Sequence, residues 1–235
     1  MVQVGNEITN GMIWPLGKLP PAVNGKTLAS FVASGLKAVH DTDAGIKTMI
    51  HIDKGGDNAA SRTFYDQLIN TNGVKDFDVI GLSYYPFWHG NMQQMQANIN
   101  DLAARYGKDV VIVETAFGYT NENFDDTKNP SDAQAERVGG FRSTVQGQAT
   151  GLRTVMQSLA NVPGGKGIGM FYWEPDWYAV PGAFKDKGDE WDNLVMFDNS
   201  GKALESWKVF TDVSDQSLPT IAPKFKEADG VTAEA

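Results

Sequence analysis

Five short, nearly continuous apolar runs alternate along the chain with five stretches of helical periodicity. The runs are Val2–Gly5, Lys47–Ile52, Phe77–Ser83, Val110–Glu114 and Ile168–Trp173. An apolar run without polar alternation is what a strand buried on both faces requires, and parallel sheets are the usual place for such strands. Between the runs, Leu28, Phe31, Val32, Leu36 and Val39 make one helical stripe, and Phe64, Tyr65, Leu68 and Ile69 make a second that Gly73 stops. Met92, Met95, Ile99, Leu102 and Tyr106 make a third ending at Gly107, Phe141 to Leu159 a longer fourth, and Leu204 to Phe210 a short fifth. Strict alternation predicts an α/β fold with a parallel sheet and right-handed crossovers. A doubly wound open sheet and a (β/α) barrel both satisfy it. No GxGxxG or GxxxxGK[ST] follows any strand, which weakens the nucleotide-binding version of the first. The loops after the strands are long and rich in aromatic residues, which suits a barrel mouth. The domain is expected over residues 1–213, with residues 214–235 a tail or linker lacking periodicity.

Charge and composition narrow the function classes. With 20 Lys and Arg against 29 Asp and Glu, the net charge is −9. That argues against a nucleic-acid partner and against a polybasic membrane surface role. No apolar run is long enough to span a bilayer. The chain has no cysteine, which removes disulfides, thiolate metal sites and cysteine nucleophiles, and three histidines do not suggest a His-rich metal centre. Met1-Val2-Gln3-Val4 shows neither the basic nor the apolar part of a signal peptide.

The ends of the strands carry the chemistry. The first ends in Asn6-Glu7, the third in Ser83-Tyr84-Tyr85-Pro86-Phe87-Trp88, the fourth in Glu114-Thr115 and the fifth in Trp173-Glu174-Pro175-Asp176-Trp177. In a parallel barrel these ends converge on one mouth. Two carboxyls, amide side chains and aromatic platforms meeting there are the inventory for cutting a glycosidic bond. Each piece alone has a plainer reading: a solvated or capping Glu7, core packing for Tyr84 to Trp88, a barrel plug for Trp173. Their conjunction at corresponding strand ends favours a site.

The segments Val4-Gly5-Asn6-Glu7-Ile8 with Gly11-Met12-Ile13-Trp14-Pro15, Asp78 to Trp88, Val111 to Ala116, Thr144 to Ala149 and Phe171 to Pro175 occur in this order. Together they resemble the arabinogalactan endo-β-1,4-galactanases of glycoside hydrolase family 53, over residues 1 to about 212. The resemblance implies the fourth to eighth strands of a (β/α)8 TIM barrel and a retaining endo-hydrolase of β-1,4-galactan and arabinogalactan. It implies Glu7 as general acid/base, with a pKa above that of the nucleophile Glu114. Asn6 would bond the sugar 2-hydroxyl, and one of Tyr84 and Tyr85, Tyr84 in preference, would hold the nucleophile. Trp173 and Trp88 would floor neighbouring subsites, Asp176 would contact substrate, and a non-proline cis peptide would follow Trp173. No cofactor is required for the chemistry.

Some bacterial members hold a structural calcium between two late loops. Asn123, Asp125, Thr127 and Asn129, with Asp189 and Asp192, offer oxygen ligands for one, although Thr127 stands where the family has a histidine. An acidic solvated loop is the other reading of the same residues. Matching the first run to the fourth strand leaves three of eight units outside the chain. It is therefore expected to be a C-terminal portion of such an enzyme, with open edges prone to self-association. The parent enzyme is expected outside the cell. A non-catalytic galactan-binding fragment, or another glycosidase of the clan, of mannanase or cellulase type, stays open.

Overall fold

The structure, a computed structural model, describes residues 1–20, 24–125, 127–179 and 188–214. The expected tail lies outside these from residue 215 onward. In chain order the strands are β1 (Val2–Gln3), β2 (Gly11–Met12), β3 (Gly17–Lys18), β4 (Thr48–Ile52), β5 (Val79–Ser83), β6 (Asp109–Glu114) and β7 (Gly167–Met170). The helices are α1 (Asn24–Thr42), α2 (Asn58–Tyr65), α3 (Pro86–His89), α4 (Met92–Tyr106), α5 (Ala133–Gly139), α6 (Val145–Ala160) and α7 (Lys208–Ser214). One sheet runs in the order β1-β4-β5-β6-β7 with every neighbouring pair parallel. Each strand lies beside the one before it, so the order never reverses. A doubly wound sheet reverses at its switch point; this one is a run of consecutive units of a (β/α)8 barrel. The short antiparallel pair β2·β3 forms a separate hairpin after β1.

Both faces of the central strands β4, β5 and β6 are covered, which is why their sequence runs do not alternate. Ile50, Ile52, Ile80, Leu82, Val110 and Ile112 face the helices, in one cluster with Leu28, Val32, Phe64, Leu68, Met95, Ile99, Leu102, Leu152 and Val155. Met49, Val79, Val111 and Val113 form a second cluster on the opposite, interior face. Gly81 belongs to that face: a Cβ there would meet Met49 Sδ at 2.8 Å.

The expected elements are present with shifted ends. The fourth helix begins at Val145 rather than Phe141, because Thr144 caps it by accepting from the Gly147 N–H at 2.9 Å. Phe141 packs edge-on against Phe117 instead. The fifth helical stretch divides into a 3₁₀ turn at Glu205–Trp207 and α7. The last strand ends at Met170, although Phe171 and Trp173 still donate their N–H groups to Ile112 and Thr115. The pairs β2·β3, α3 and α5 are too short to carry a readable period. Apolar side chains stand exposed along both edge strands: Met1 and Val2 at one, Ile168 and Phe171 at the other.

Gln148, from the sequence motif at the start of α6, ties this helix to the loops around the mouth. Its buried amide donates to Phe117 O and Val195 O, both at 2.9 Å, with the Tyr172 hydroxyl 3.2 Å from the same nitrogen, and it accepts from Ser206 Oγ at 2.5 Å. A fully satisfied buried amide fixes loop positions that apolar packing alone leaves free.

Candidate active site

Strand periodicity decides which side chains reach the interior. On β4, Met49 faces inward, so His51, two residues on, does too. On β5, Val79, Gly81 and Ser83 share the inner face, while Tyr84 packs with the helix-side cluster. The Tyr84 hydroxyl donates to Gly90 O at 2.8 Å. The hydroxyl that holds Glu114 therefore belongs to Tyr85, which donates to Glu114 Oε2 at 3.0 Å. This corrects the expectation for Tyr84. The cause is the strand's period of two, which puts adjacent tyrosines on opposite faces.

Glu114 reaches the interior through an irregularity. Ile112 pairs with Leu82, but Glu114 pairs with Ser83, so β6 carries one extra residue at its end. With Val111 and Val113 already inward, unbroken alternation would turn Glu114 toward the helices. A bulge re-aims the side chain that follows it.

Glu7 sits beyond the end of β1 with φ 47° and ψ 48°, left-handed values that are uncommon for a residue with a side chain. Gly5, at φ 85°, begins the turn, and a Cβ there would meet Ile8 at 2.7 Å. The turn carries the Glu7 carboxylate over the sheet, where Ser83 Oγ donates to its Oε1 at 2.6 Å. One oxygen of Glu7, one oxygen of Glu114 and a ring nitrogen of His51 all lie within 4.8 Å of one another. Asn6 Oδ1 accepts from Gln3 Nε2 at 3.0 Å beside His51.

Burial pushes the Glu114 carboxyl up to about 7, and the negative charge of Glu7 pushes the same way, against the hydrogen bonds from Tyr85 and Ser83. Glu114 is 8% exposed at the end of an interior strand, and Glu7 is half-buried on a turn at the sheet edge. A folded-state pKa above the unfolded value means that folding stability is greatest below the unfolded pKa, near 4.3, and is lost as pH rises through about 7. Relative to Glu114→Gln, the native chain should lose about 1–2 kcal/mol of stability across that window. Urea unfolding of both forms at a series of pH values measures this. A pH-independent difference would show that Glu114 does not carry the shifted titration.

The aromatic residues gather as expected, with one addition. Trp88, 59% exposed, lies 5.3 Å from the Tyr85 ring centroid and 6.1 Å from that of Trp191. Trp191 stands edge-on to Tyr85 at 5.4 Å, and its Nε1 donates to Trp173 O. In the sequence Trp191 carries one weak signal, an aromatic residue in an acidic loop. Trp173 is 40% exposed, and Asp176 is exposed on the turn behind it. The peptide after Trp173 is not cis; the described cis bonds are Trp14–Pro15 and Leu19–Pro20. Glu174 takes φ 49° instead, so the chain reverses through a left-handed residue.

A second polar cluster joins two loops. Asp192 Oδ2 accepts from the Phe124 N–H at 3.0 Å and its Oδ1 from Asn129 Nδ2 at 2.6 Å. Asp125 accepts from the Thr127 N–H and the Asp189 N–H, and Asn123 donates to Thr127 O. Asp189, Asp192 and Asn129 are buried. Burial, then the charges of neighbouring carboxylates, raises the pKa of Asp189, with the Trp191 N–H opposing; burial also raises that of Asp192. Asn129 Oδ1, Asp189 Oδ2 and Asn193 Oδ1 are buried without hydrogen-bond partners among the described residues.

Residues 1–210 match the model of glycosyl hydrolase family 53. A Niallia circulans protein described as uncharacterized, in the bgaB 5' region, is 43% identical over 213 residues, covering 88% of this chain and 58% of its own length. A probable arabinogalactan endo-β-1,4-galactanase A of Aspergillus fumigatus is 38% identical over 220 residues, covering 91% of this chain and 58% of its own. The structure of the Ignisphaera aggregans GH53 catalytic domain superposes with a TM-score of 0.81 at 36% identity, covering 88% of this chain and 57% of that one. The chain thus spans a little under three-fifths of the length of the relatives it matches.

Proposed function

Because the chain belongs to glycosyl hydrolase family 53, we propose that it carries the catalytic pair of a retaining endo-β-1,4-galactanase, with Glu7 as general acid/base and Glu114 as nucleophile. The observation that carries this reading is the approach of the two carboxyls, one oxygen from each lying within 4.8 Å. Inverting enzymes hold their carboxyls about 6.5–9.5 Å apart to admit a water, and retaining ones about 5–5.5 Å. Glu114 attacks the anomeric carbon as Glu7 gives its proton to the leaving oxygen. Glu7 then takes a proton from the water that releases the sugar from Glu114. The Tyr85 hydroxyl, which donates to Glu114 Oε2, favours the ionised nucleophile. Asn6 binds the sugar 2-hydroxyl. Trp88, Trp173 and Trp191 offer faces on which pyranose rings stack, and Asp176 extends the polar rim. The substrate is β-1,4-galactan or arabinogalactan, met outside the cell.

Comparing galactan, mannan and cellulose as substrates tests the assignment. Release from galactan is expected to be fastest; faster release from mannan would overturn it in favour of another enzyme type of the clan. The exposed apolar residues along the edges β1 and β7 support a second reading, in which the chain binds galactan without cutting it until the edges are covered, for example by self-association. Affinity for galactan from a folded chain that releases nothing would favour that reading.

We also propose that the loop cluster holds a structural calcium through Asp125, Asn129, Asp189 and Asp192, with Asn123 and Thr127 shaping the first loop. Buried like charges and oxygens lacking donors suit a hard cation with oxygen ligands. Calcium is expected to raise the unfolding temperature of the chain, and Asp192→Asn to abolish the rise. An unfolding temperature that calcium leaves unchanged removes the metal from the account.

A further inference from the structure

The galactanase reading uses Glu7, Glu114, Tyr85 and Asn6. It leaves unused a buried imidazole directly behind them. His51 is fully buried on the inner face of β4. Its Nε2 lies 2.8 Å from Ser83 Oγ, and Ser83 Oγ lies 2.6 Å from Glu7 Oε1. Its Nδ1 lies 3.1 Å from Gln3 Nε2 and 3.4 Å from the backbone N of Glu7.

Two independent observations fix the tautomer. A backbone N–H is only ever a donor, so the Glu7 N–H aimed at Nδ1 requires a lone pair there. On the other side, the single Ser83 proton is committed to the Glu7 carboxylate, so Ser83 Oγ must accept from His51, which requires Nε2–H. Both give neutral imidazole protonated at Nε2. The Gln3 amide has two protons, one for Nδ1 and one for Asn6 Oδ1. The 3.1 Å approach of Nδ1 to Asn6 Oδ1 then needs no bond of its own.

Resting on the assignment of Glu7 as acid/base, we propose that His51 is a positioning residue that acts through Ser83. By donating to Ser83 Oγ, it keeps the serine proton turned toward the carboxyls. Ser83 then holds Glu7 Oε1 as an acceptor, and the proton used in catalysis rides on Oε2. A serine free to rotate could not hold the Glu7 carboxyl reliably. Burial lowers the His51 pKa to about 4, with Asp53 the charged group that opposes this, so the ring stays neutral where Glu7 has to exchange its proton.

The first test needs no turnover. Long-range ¹H–¹⁵N spectra of this chain with labelled histidine should show His51 as the Nε2–H tautomer, uncharged at pH 6. An Nδ1–H tautomer, or a ring titrating near 6.5, overturns the proposal. The second test compares His51→Gln, whose Nε2 can still donate to Ser83, with His51→Phe, which cannot, in whichever form of the protein hydrolyses galactan. His51→Phe is expected to lower kcat on galactan by about 10²-fold, with KM nearly unchanged and His51→Gln restoring most of the loss. The rate on a dinitrophenyl galactoside, whose leaving group needs no proton, should stay within about threefold. Equal losses on both substrates would make His51 merely structural and overturn the proposal. The failure of the underlying reading looks different: Glu7→Gln would then show no dependence on the leaving group, while the His51 spectrum stayed as described.

Discussion

Glu114→Gln is expected to reduce the release of reducing ends from β-1,4-galactan by on the order of 10⁴-fold or more. The amide has the shape of the carboxylate and can still accept from the Tyr85 hydroxyl, which lies 3.0 Å from Glu114 Oε2 in the native chain. It cannot form the glycosyl ester. The substitution also removes a buried charge that burial and Glu7 both oppose, so the folded state does not suffer at neutral pH. That separation matters, because loss of activity with equal or greater resistance to urea can only be chemical. The check is a reducing-end assay beside an unfolding curve on the same preparation. A variant keeping more than about a tenth of native activity would place the nucleophile elsewhere, since removal of a covalent nucleophile leaves only binding and electrostatic assistance.

Glu7→Gln should fail in a different way. Loss of general acid catalysis is expected to cost about 10²–10⁴-fold on galactan, whose leaving group is a sugar hydroxyl. A dinitrophenyl galactoside leaves without a proton, so its first step should survive and the glycosyl-enzyme on Glu114 should accumulate as a burst. Azide, which needs no general base, should then release it as the β-galactosyl azide, the retained anomer. Mass spectrometry of the trapped protein and the anomeric configuration of the azide read both points. Equal loss on the two substrates, or an inverted product, would overturn the assignment of Glu7. The left-handed backbone at Glu7 also predicts that the two variants differ in what else they disturb. Glu114 is held by a strand and a bulge, whereas Glu7 is held by a turn and by the Ser83 hydroxyl.

Much of this was legible in the residues. Apolar runs such as Val79–Ser83 and stripes such as Met95, Ile99 and Leu102 are local patterns, and the helix and strand periods are local geometry. The unreversed strand order did not follow from them, since a doubly wound sheet and a barrel fit the same alternation; the resemblance of the strand-end motifs implied it. The two glutamates were legible because each stands where an apolar strand ends. What local patterns do not contain is register. Tyr84 and Tyr85 are adjacent, and only counting the period from Val79 through Ser83 tells which one faces Glu114. The extra residue at the end of β6 has no sequence signature, yet it turns Glu114 inward. His51 reads as one polar residue in an apolar strand until folding brings Ser83 to its Nε2 and the turn after β1 to its Nδ1. Trp191 joins Tyr85 across more than a hundred residues of chain.

The sequence by itself determined the elements, their alternation and the two carboxyls, because backbone periodicity and apolar burial act over a few residues. Only the tertiary structure decided which hydroxyl holds Glu114, which way Glu7 is turned and how far Glu114 is pushed from ionising. Those depend on strand register, on a bulge and on water exclusion between segments far apart in the chain, and no local energy term specifies them.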